Sequence, residues 1–282
     1  MTFTIRKSFD QDGHLYRTYD WESVEGWQDR LANKLVPLIR ELYSDFENLN
    51  KSCQETGLEG TQLEQFLETA LKATIPKPRE PESKTPKQFD VCRADLAELL
   101  ALVCLDGLFA TKVPVKNIYS RELNAATSRG LDILGYEKVG NDLSLIICEV
   151  KGSEDGNSPP SVVETGEDSL KQQLYSYVTR KEKTLDRILN ISKRAPSIED
   201  KKILAQIAMN WAQGAASSLK VIVCPFLVRK MDCYKDTDYG SFRTAPGYHA
   251  PAKIRFLIVC VNSDLNALAE HIYSKARSFG DK

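Results

Sequence analysis

The chain has 282 residues, of which 42% are hydrophobic and 27% are charged, and its formal net charge is −1. This composition is typical of a globular protein in water. A charge this close to zero excludes a protein that binds DNA or anionic membranes over its whole surface, so nucleic-acid binding would need a local basic patch or a partner. No segment approaches the run of about 18 apolar residues that predicts a membrane span, so we expect no membrane contact.

The seven cysteines argue against a zinc site and against an oxidising compartment. They form no CxxC pair, and no histidine follows them at zinc-ligand spacing. Four of them lie inside apolar runs, where a free thiol behaves as a small hydrophobic group: Cys104, Cys148, Cys224 and Cys260. The first residues, MTFTIRKSFD, lack the apolar core of a signal peptide. These features together predict a cytoplasmic protein.

The first part of the chain predicts a hairpin followed by helices. Residues 3–20 hold an Asp-Gly pair that is typical of a tight hairpin turn. Apolar residues recur at helical spacing over about 21–49 and again over about 61–72, with charged residues between them. We therefore expect residues 1–75 to form a mainly helical region that serves as an interaction surface.

A proline-rich segment separates this region from the rest of the chain. The sequence IPKPREPESKTPKQ holds prolines among charged residues, a composition that cannot bury an apolar core. We interpret residues 76–89 as a linker or surface loop and residues 90–282 as the main domain.

The main domain alternates between helical and strand patterns. Its predicted elements are, in chain order, a helix over 94–108, strands over 113–119, 130–138 and 143–151, a helix over 167–184, two helices between 184 and 217, strands over 219–228 and 253–262, and a helix over 263–278. The last two strands are continuous apolar runs, which indicates strands covered on both faces. The order predicts an α/β layer fold. A long polar loop, residues 229–252, suits a partner surface or the stacking of single-stranded nucleic acid.

One strand ends in charged residues on an otherwise apolar face. Because alternate residues of a strand share a face, Glu149 and Lys151 extend the face of Leu145 and Ile147. Asp132 lies on the preceding strand. A hairpin with its turn near residues 139–142 would place Asp132 level with Glu149.

Two carboxylates beside a lysine suit the hydrolysis of a phosphodiester. Carboxylate oxygens are preferred ligands of Mg²⁺, and the absence of histidine or cysteine from the set favours Mg²⁺ or Mn²⁺ over zinc. The ion polarises the phosphoryl oxygen and helps to generate hydroxide. A lysine can orient the water or stabilise the charge that develops on the phosphate.

The pattern Asp132…Glu149-Val150-Lys151 resembles the PD-(D/E)XK nuclease superfamily, which has the restriction-endonuclease-like fold. That core consists of a helix, a β-meander, a crossover helix and further strands, and here it would follow the mainly helical N-terminal part. The resemblance covers about residues 90–230. Leu131 stands where the superfamily usually has a proline before the aspartate.

Two further matches strengthen the resemblance. The segment RADLAELL places Glu98 on the helix before the meander, where many members carry an additional acid. The segment KQQLYSY places Gln173 and Tyr177 like the QxxxY motif of RecB-like exonucleases. The resemblance implies that Asp132, Glu149 and Glu98 hold the metal.

The same resemblance assigns roles to two further side chains. It implies that Lys151 activates the water and that Gln173 positions the site or the strand that is cut.

The layout and the series RADLAELL…RGLDILG…CEVKGS are also similar to the HamA family, the nuclease subunits of Hachiman anti-phage systems. Those proteins act with a helicase, HamB. The similarity implies a metal-dependent deoxyribonuclease that is the effector of an antiviral complex, with DNA and a HamB-like helicase as its partners. The helicase would restrain the nuclease until it meets DNA that signals infection.

Other interpretations stay open at this stage. The chain could be a stand-alone restriction-type endonuclease, or a non-catalytic protein that keeps the fold and binds a partner or nucleic acid. Glu149 and Lys151 could be a solvated strand end, and Glu98 an ordinary surface acid. Tyr177 could serve core packing alone.

Overall fold

A computed structural model describes residues 3–21, 25–78, 91–116, 131–214 and 218–279. The strands in these ranges are β1 (Phe3–Gln11), β2 (His14–Trp21), β3 (Ile133–Val139), β4 (Asp142–Ser153), β5 (Lys220–Lys230) and β6 (Lys253–Val261). The α-helices in the same ranges are α1 (Trp27–Ser44), α2 (Phe46–Glu55), α3 (Gly60–Thr74), α4 (Val91–Phe109), α5 (Ser161–Glu164), α6 (Leu170–Thr179), α7 (Lys181–Arg194), α8 (Ile198–Gln213), α9 (Ser241–Thr244) and α10 (Leu265–Arg277).

The strands form one six-stranded mixed sheet in the order β1-β2-β6-β5-β4-β3. Strands β2, β6, β5 and β4 run parallel to one another, and an antiparallel hairpin closes each end of the sheet. The apolar runs of β5 and β6 are central, as expected for strands that are buried on both faces. The predicted α/β class is confirmed.

Helices cover the two faces of the sheet and bury a core on each side. On one face α1, α3, α4 and α10 share a core that includes Leu35, Leu99 and Ile272. On the other face α6, α7 and α8 share a core that includes Leu174 and Ile188. Helix α4 is buried nearly all round, as its almost uniformly apolar sequence requires.

The part of the chain before residue 76 belongs to the same sheet and core. The expected hairpin is present, with Asp12 at φ 51° and Gly13 at φ 76°, the positive values that a tight turn of this kind needs. Its second strand, β2, pairs with β6. The single helix expected over 21–49 is wrong, because Asp45 adopts a left-handed conformation at φ 46° and separates α1 from α2.

Two predicted elements of the main domain differ from those observed. The helix expected over 167–184 is divided into α6 and α7 at Arg180, whose ψ of 80° is not helical. The strand expected over 113–119 is not formed by its described residues, 113–116, and the residue before them, Lys112, makes an isolated bridge to Tyr136. Residues 117–119 of that strand and residues 79–89 of the expected linker lie outside the described residues.

The loop of residues 229–252 is anchored by a buried arginine. Arg229, at the end of β5, is 0% exposed, and its Nε donates to Asp238 Oδ2 at 2.9 Å. Its Nη2 donates to the carbonyls of Asn157 and Cys233, both at 2.9 Å. One side chain therefore ties the loops that follow β4 and β5 to each other.

The seven cysteines are free, and six of them are buried, including the four for which the sequence predicts apolar surroundings. Of the helices in the described part of the chain, none combines the length and the apolar composition that a membrane span requires.

Gly135 allows the backbone of Lys112, which bridges to Tyr136, to approach β3 closely. A Cβ added there would lie 2.7 Å from the backbone oxygen of Lys112 and 3.0 Å from Thr111 Cγ2. Only a residue without a side chain fits this contact, because a real Cβ does not come so close to backbone.

We therefore expect Gly135→Ala to lower the free energy of unfolding by about 1–3 kcal/mol, through overpacking. Gly107→Ala is the matched control, since a Cβ on this helical glycine meets no described atom within 4 Å. That change should raise the free energy of unfolding by about 0.5–1 kcal/mol. Urea unfolding measures both, and equal stability of Gly135→Ala and wild type would contradict the close contact.

Candidate active site

The register of the β3–β4 hairpin brings Asp132 to Glu149. Ile133 pairs with Cys148, and Val139 pairs with Asp142. Asp132 lies one residue before β3, so continuing the register places it opposite Glu149. Its Oδ2 accepts a hydrogen bond from the backbone N–H of Val150 at 2.8 Å. The carboxylate of Asp132 thus bonds to the backbone of β4 just before β3 begins.

Glu149 is a buried acid rather than a solvated strand end. It is 3% exposed and lies on the face of β4 that carries Leu145 and Ile147. Desolvation and, second, the charge of Asp132 raise the pKa of its carboxyl to about 8, against the opposing charge of Lys151. The carboxyl of Glu149 therefore favours its protonated form at neutral pH even beside Lys151, unless a metal ion binds to it.

Lys151 is paired with one oxygen of Glu149. Its Nζ lies 3.1 Å from Glu149 Oε1, and 26% of its side chain is exposed. Burial lowers the pKa of Lys151, but the charges of Glu149 and Asp132 outweigh burial, and the net shift is upward. The ammonium therefore stays charged beside the two acids.

The other oxygen of Glu149 lacks a protein partner. Within the described residues, Glu149 Oε2 is buried and makes no hydrogen bond. A buried carboxylate oxygen left in this way costs free energy, about 1–3 kcal/mol for an ordinary polar group and more for a charged one. Such an atom is the expected signature of a site that completes its contacts with a ligand.

The two residues of the QxxxY pair on α6 have different surroundings. Gln173 Nε2 donates to the carbonyl of Glu167 at 2.9 Å and to Asp168 Oδ1 at 3.4 Å, so it braces the turn before α6. Tyr177 is 2% exposed, and burial followed by the charge of Glu149 raises its pKa to about 12. Tyr177 therefore adjoins the carboxylates, whereas Gln173 reaches Lys151 only through Asp168, whose charge acts on that lysine.

Glu98 is buried but is not part of the carboxylate pair. It is 4% exposed on α4, so it is not a surface acid. Its charge acts on Arg187. Burial lowers the pKa of Arg187, and the charges of Tyr177, Glu98 and Asp132 offset part of that shift. Among the described residues, no three His, Cys, Asp or Glu side chains are grouped as metal ligands. The structure thus brings Asp132 and Glu149 together, and the role of Glu98 at a metal site stays a prediction.

Helix α7 supplies two basic residues that the sequence motifs did not indicate. Arg187 Nη2 donates to the carbonyl of Leu131 at 3.1 Å, which fixes the backbone just before Asp132. Lys183 Nζ lies 3.9 Å from the centre of the Tyr177 ring. Their spacing of four residues places both on one helix face, but only the packing of α7 against α6 reveals that this face meets the site.

The donor set of the site fits a hard divalent cation. Asp132 and Glu149 offer carboxylate oxygens, one of them the buried Glu149 Oε2 without a hydrogen bond from any described residue. Mg²⁺ is commonly held by one or two carboxylates and completes its shell with water and substrate phosphate, so a third acid is not required.

No family model, curated protein or solved structure matches the chain. What the described residues show is a buried carboxylate pair, a lysine bonded to one of the acids and a buried tyrosine beside them. Such a set can bind a cation and place a positive charge next to it.

The raised pKa of Glu149 predicts how stability depends on pH. Between its ordinary pKa of 4.5 and about 8, the folded carboxyl keeps a proton that the unfolded chain releases. The free energy of unfolding should therefore fall as pH rises through this window, by up to about 1.4 kcal/mol per pH unit. Glu149→Gln removes the titration, so its stability relative to wild type should increase from about pH 5 to about pH 8.

Urea unfolding in EDTA at several pH values measures this difference. Glu182→Gln, which changes an exposed acid on α7, is the control and should follow wild type. A difference between Glu149→Gln and wild type that stays constant with pH would contradict the buried, protonated acid.

Proposed function

We propose that the protein is a metal-dependent nuclease that hydrolyses phosphodiester bonds in DNA. The observation that carries the proposal is the convergence of Asp132, Glu149 and Lys151, which the hairpin register and the 3.1 Å contact between lysine and glutamate create. Metal-dependent hydrolysis of a phosphodiester uses carboxylates that hold the metal ion and benefits from a separate positive side chain that stabilises the developing negative charge. The three side chains provide both.

The order of elements supports a restriction-endonuclease-like core. Helix α4 precedes the bridge at Lys112, the β3–β4 hairpin, the helices α6 to α8 and strand β5, which returns parallel to β4. This order is compatible with the helix, β-meander, crossover helix and further strand that the resemblance to PD-(D/E)XK nucleases implies. In the described residues the part expected to be the meander consists of the bridge and the β3–β4 hairpin, and Glu149 and Lys151 lie on β4 of that hairpin.

Each residue has a definite part in the proposed reaction. Asp132 and Glu149 would hold Mg²⁺ or Mn²⁺, which when bound polarises a phosphoryl oxygen and lowers the pKa of a water molecule. Lys151 donates hydrogen bonds from its free N–H groups to the attacking water or to a phosphate oxygen. Tyr177 and the apolar face of β4 exclude bulk water from the buried side of the site, which strengthens these interactions.

Cleavage assays test the proposal directly. We expect the chain to cleave DNA in Mg²⁺ but not in EDTA, and Asp132→Asn, Glu149→Gln and Lys151→Met each to lower kcat by at least about 100-fold. Asp142→Asn is the matched control, because Asp142 is an exposed acid at the other end of β4, paired with Lys220. It should cleave like wild type.

Cleavage that survives EDTA or the Lys151→Met change would sink the mechanism. A folded wild-type chain that binds DNA without cleaving it in Mg²⁺ or Mn²⁺ would favour the non-catalytic alternative.

We propose further that this nuclease is the effector of an antiviral complex with a helicase. This step is supported by the similarity to HamA proteins, and the net charge of −1 fits an enzyme to which a partner delivers DNA. The N-terminal hairpin and helices, which are absent from the part of the chain that resembles PD-(D/E)XK nucleases, are the expected contact surface for the partner.

Co-expression with a HamB-type helicase tests this step. The chain should co-purify with the helicase, and the complex should cleave less DNA than the free chain until the helicase engages its own DNA substrate. Equal cleavage with and without the helicase, together with a methyltransferase gene beside this one, would instead favour a stand-alone restriction enzyme.

A further inference from the structure

Lys183 is an exposed cation held in a fixed place beside the candidate site. Its Nζ lies 3.9 Å from the centre of the Tyr177 ring and donates to Ser176 Oγ at 3.1 Å. Both partners belong to α6, so the side chain folds back from the first turn of α7 across the α6–α7 junction. A cation over an aromatic ring is stabilised by the ring's negative face.

No acid neutralises this ammonium within the described part of the chain. The ion pairs found there leave Lys183 without a carboxylate partner, in contrast to Lys151, which is bonded to Glu149. Lysine has N–H donors to spare after one hydrogen bond. The exposed side of the ammonium is therefore available to an anion from solvent, and its position is already fixed.

Lys183 interacts electrostatically with Glu149 of the candidate site. Desolvation and, second, the charge of Arg180 lower the pKa of Lys183, and the charge of Glu149 opposes them. The Tyr177 ring that Lys183 covers is itself influenced by Glu149 and Asp132. Tyr177 thus packs in the core on the β4 face that carries Glu149 and has the Lys183 ammonium over its ring.

Arg187, one turn further along α7, differs in its role. It is half-buried and donates to the carbonyl of Leu131, next to Asp132. Arg187 therefore positions the strand end from inside, whereas Lys183 faces solvent. Of these two basic side chains, Lys183 is the one exposed to solvent, where it can meet a substrate.

We propose that Lys183 is a phosphate-binding residue, whose ammonium holds a backbone phosphate of the nucleic-acid strand next to the phosphate that is hydrolysed at Asp132 and Glu149. The inference rests on the proposed nuclease function and adds a substrate contact to it. The strand would cross the α6–α7 junction, with its negative backbone over Lys183. Because this contact is to a phosphate and not to a base, it does not depend on the nucleotide sequence.

The test compares Lys183→Gln with Lys181→Gln. Lys181 is on the same helix, but its Nζ lies close to Gly214 at the end of α8. A Cβ added to that glycine would be 3.0 Å from the Lys181 Nζ. The two variants lose the same charge, and Lys183→Arg restores it at the proposed contact. Binding of a fluorescein-labelled single strand and of the matching duplex is measured by anisotropy in EDTA over a range of salt concentrations, and kcat and KM are measured in Mg²⁺.

We expect Lys183→Gln to weaken binding and raise KM by about tenfold or more, the effect of one lost charged hydrogen bond. The slope of log affinity against log salt should fall by about 0.9 for a duplex or about 0.7 for a single strand. Lys181→Gln should match wild type, and Lys183→Arg should recover most of the affinity.

Two results would overturn the inference. One is a Lys183→Gln variant with the affinity and salt slope of Lys181→Gln. The other is a loss of thermal stability and kcat with an unchanged salt slope, since that describes a purely structural lysine.

The same experiment separates this inference from the nuclease proposal. If Lys151→Met abolishes cleavage while Lys183→Gln changes nothing, the nuclease stands and the phosphate contact fails. If wild type does not cleave but Lys183→Gln binds DNA more weakly than Lys181→Gln, the phosphate contact stands and the nuclease fails.

Discussion

The pairing of β3 with β4 is the constraint on which the candidate site depends. Because side chains of a strand alternate between faces, a shift of one residue would turn Glu149 and Lys151 to the α4 side and leave Asp132 without its partner. The apolar face of Leu145 and Ile147 and the two-residue turn after Val139 together select the observed register. Gly135 reinforces it, since the backbone of Lys112 lies against that position. Core packing and site geometry are therefore set by one interaction.

Burial is what makes the acids chemically unusual. A glutamate at an exposed strand end would titrate near its ordinary pKa, but Glu149 is buried on the face of β4 against which α6 packs, and it lies next to a second acid. The fold accepts a cost in stability at this point, and the lysine offsets only part of it. A buried acid that lowers stability in this way is typical of a site that a ligand completes.

Several features could be predicted because they depend on local sequence. The hairpin turn at Asp12-Gly13 follows from the need for positive φ, and the pairing of Asp132 with Glu149 follows from strand alternation and a short turn. Breaks within helices were missed, since Asp45 and Arg180 leave helical geometry without a proline or glycine to announce it.

By itself, the sequence determined the α/β class, the apolar strands, the buried thiols and the presence of two acids and a lysine on adjoining strands. Only the tertiary structure decided which of the polar residues meet. It buried Glu98 where its charge acts on Arg187, turned Gln173 toward Asp168, and folded Lys183 over Tyr177. The reason is physical: face and spacing are local properties of a strand or helix, whereas the distance between two elements depends on the packing of the whole core.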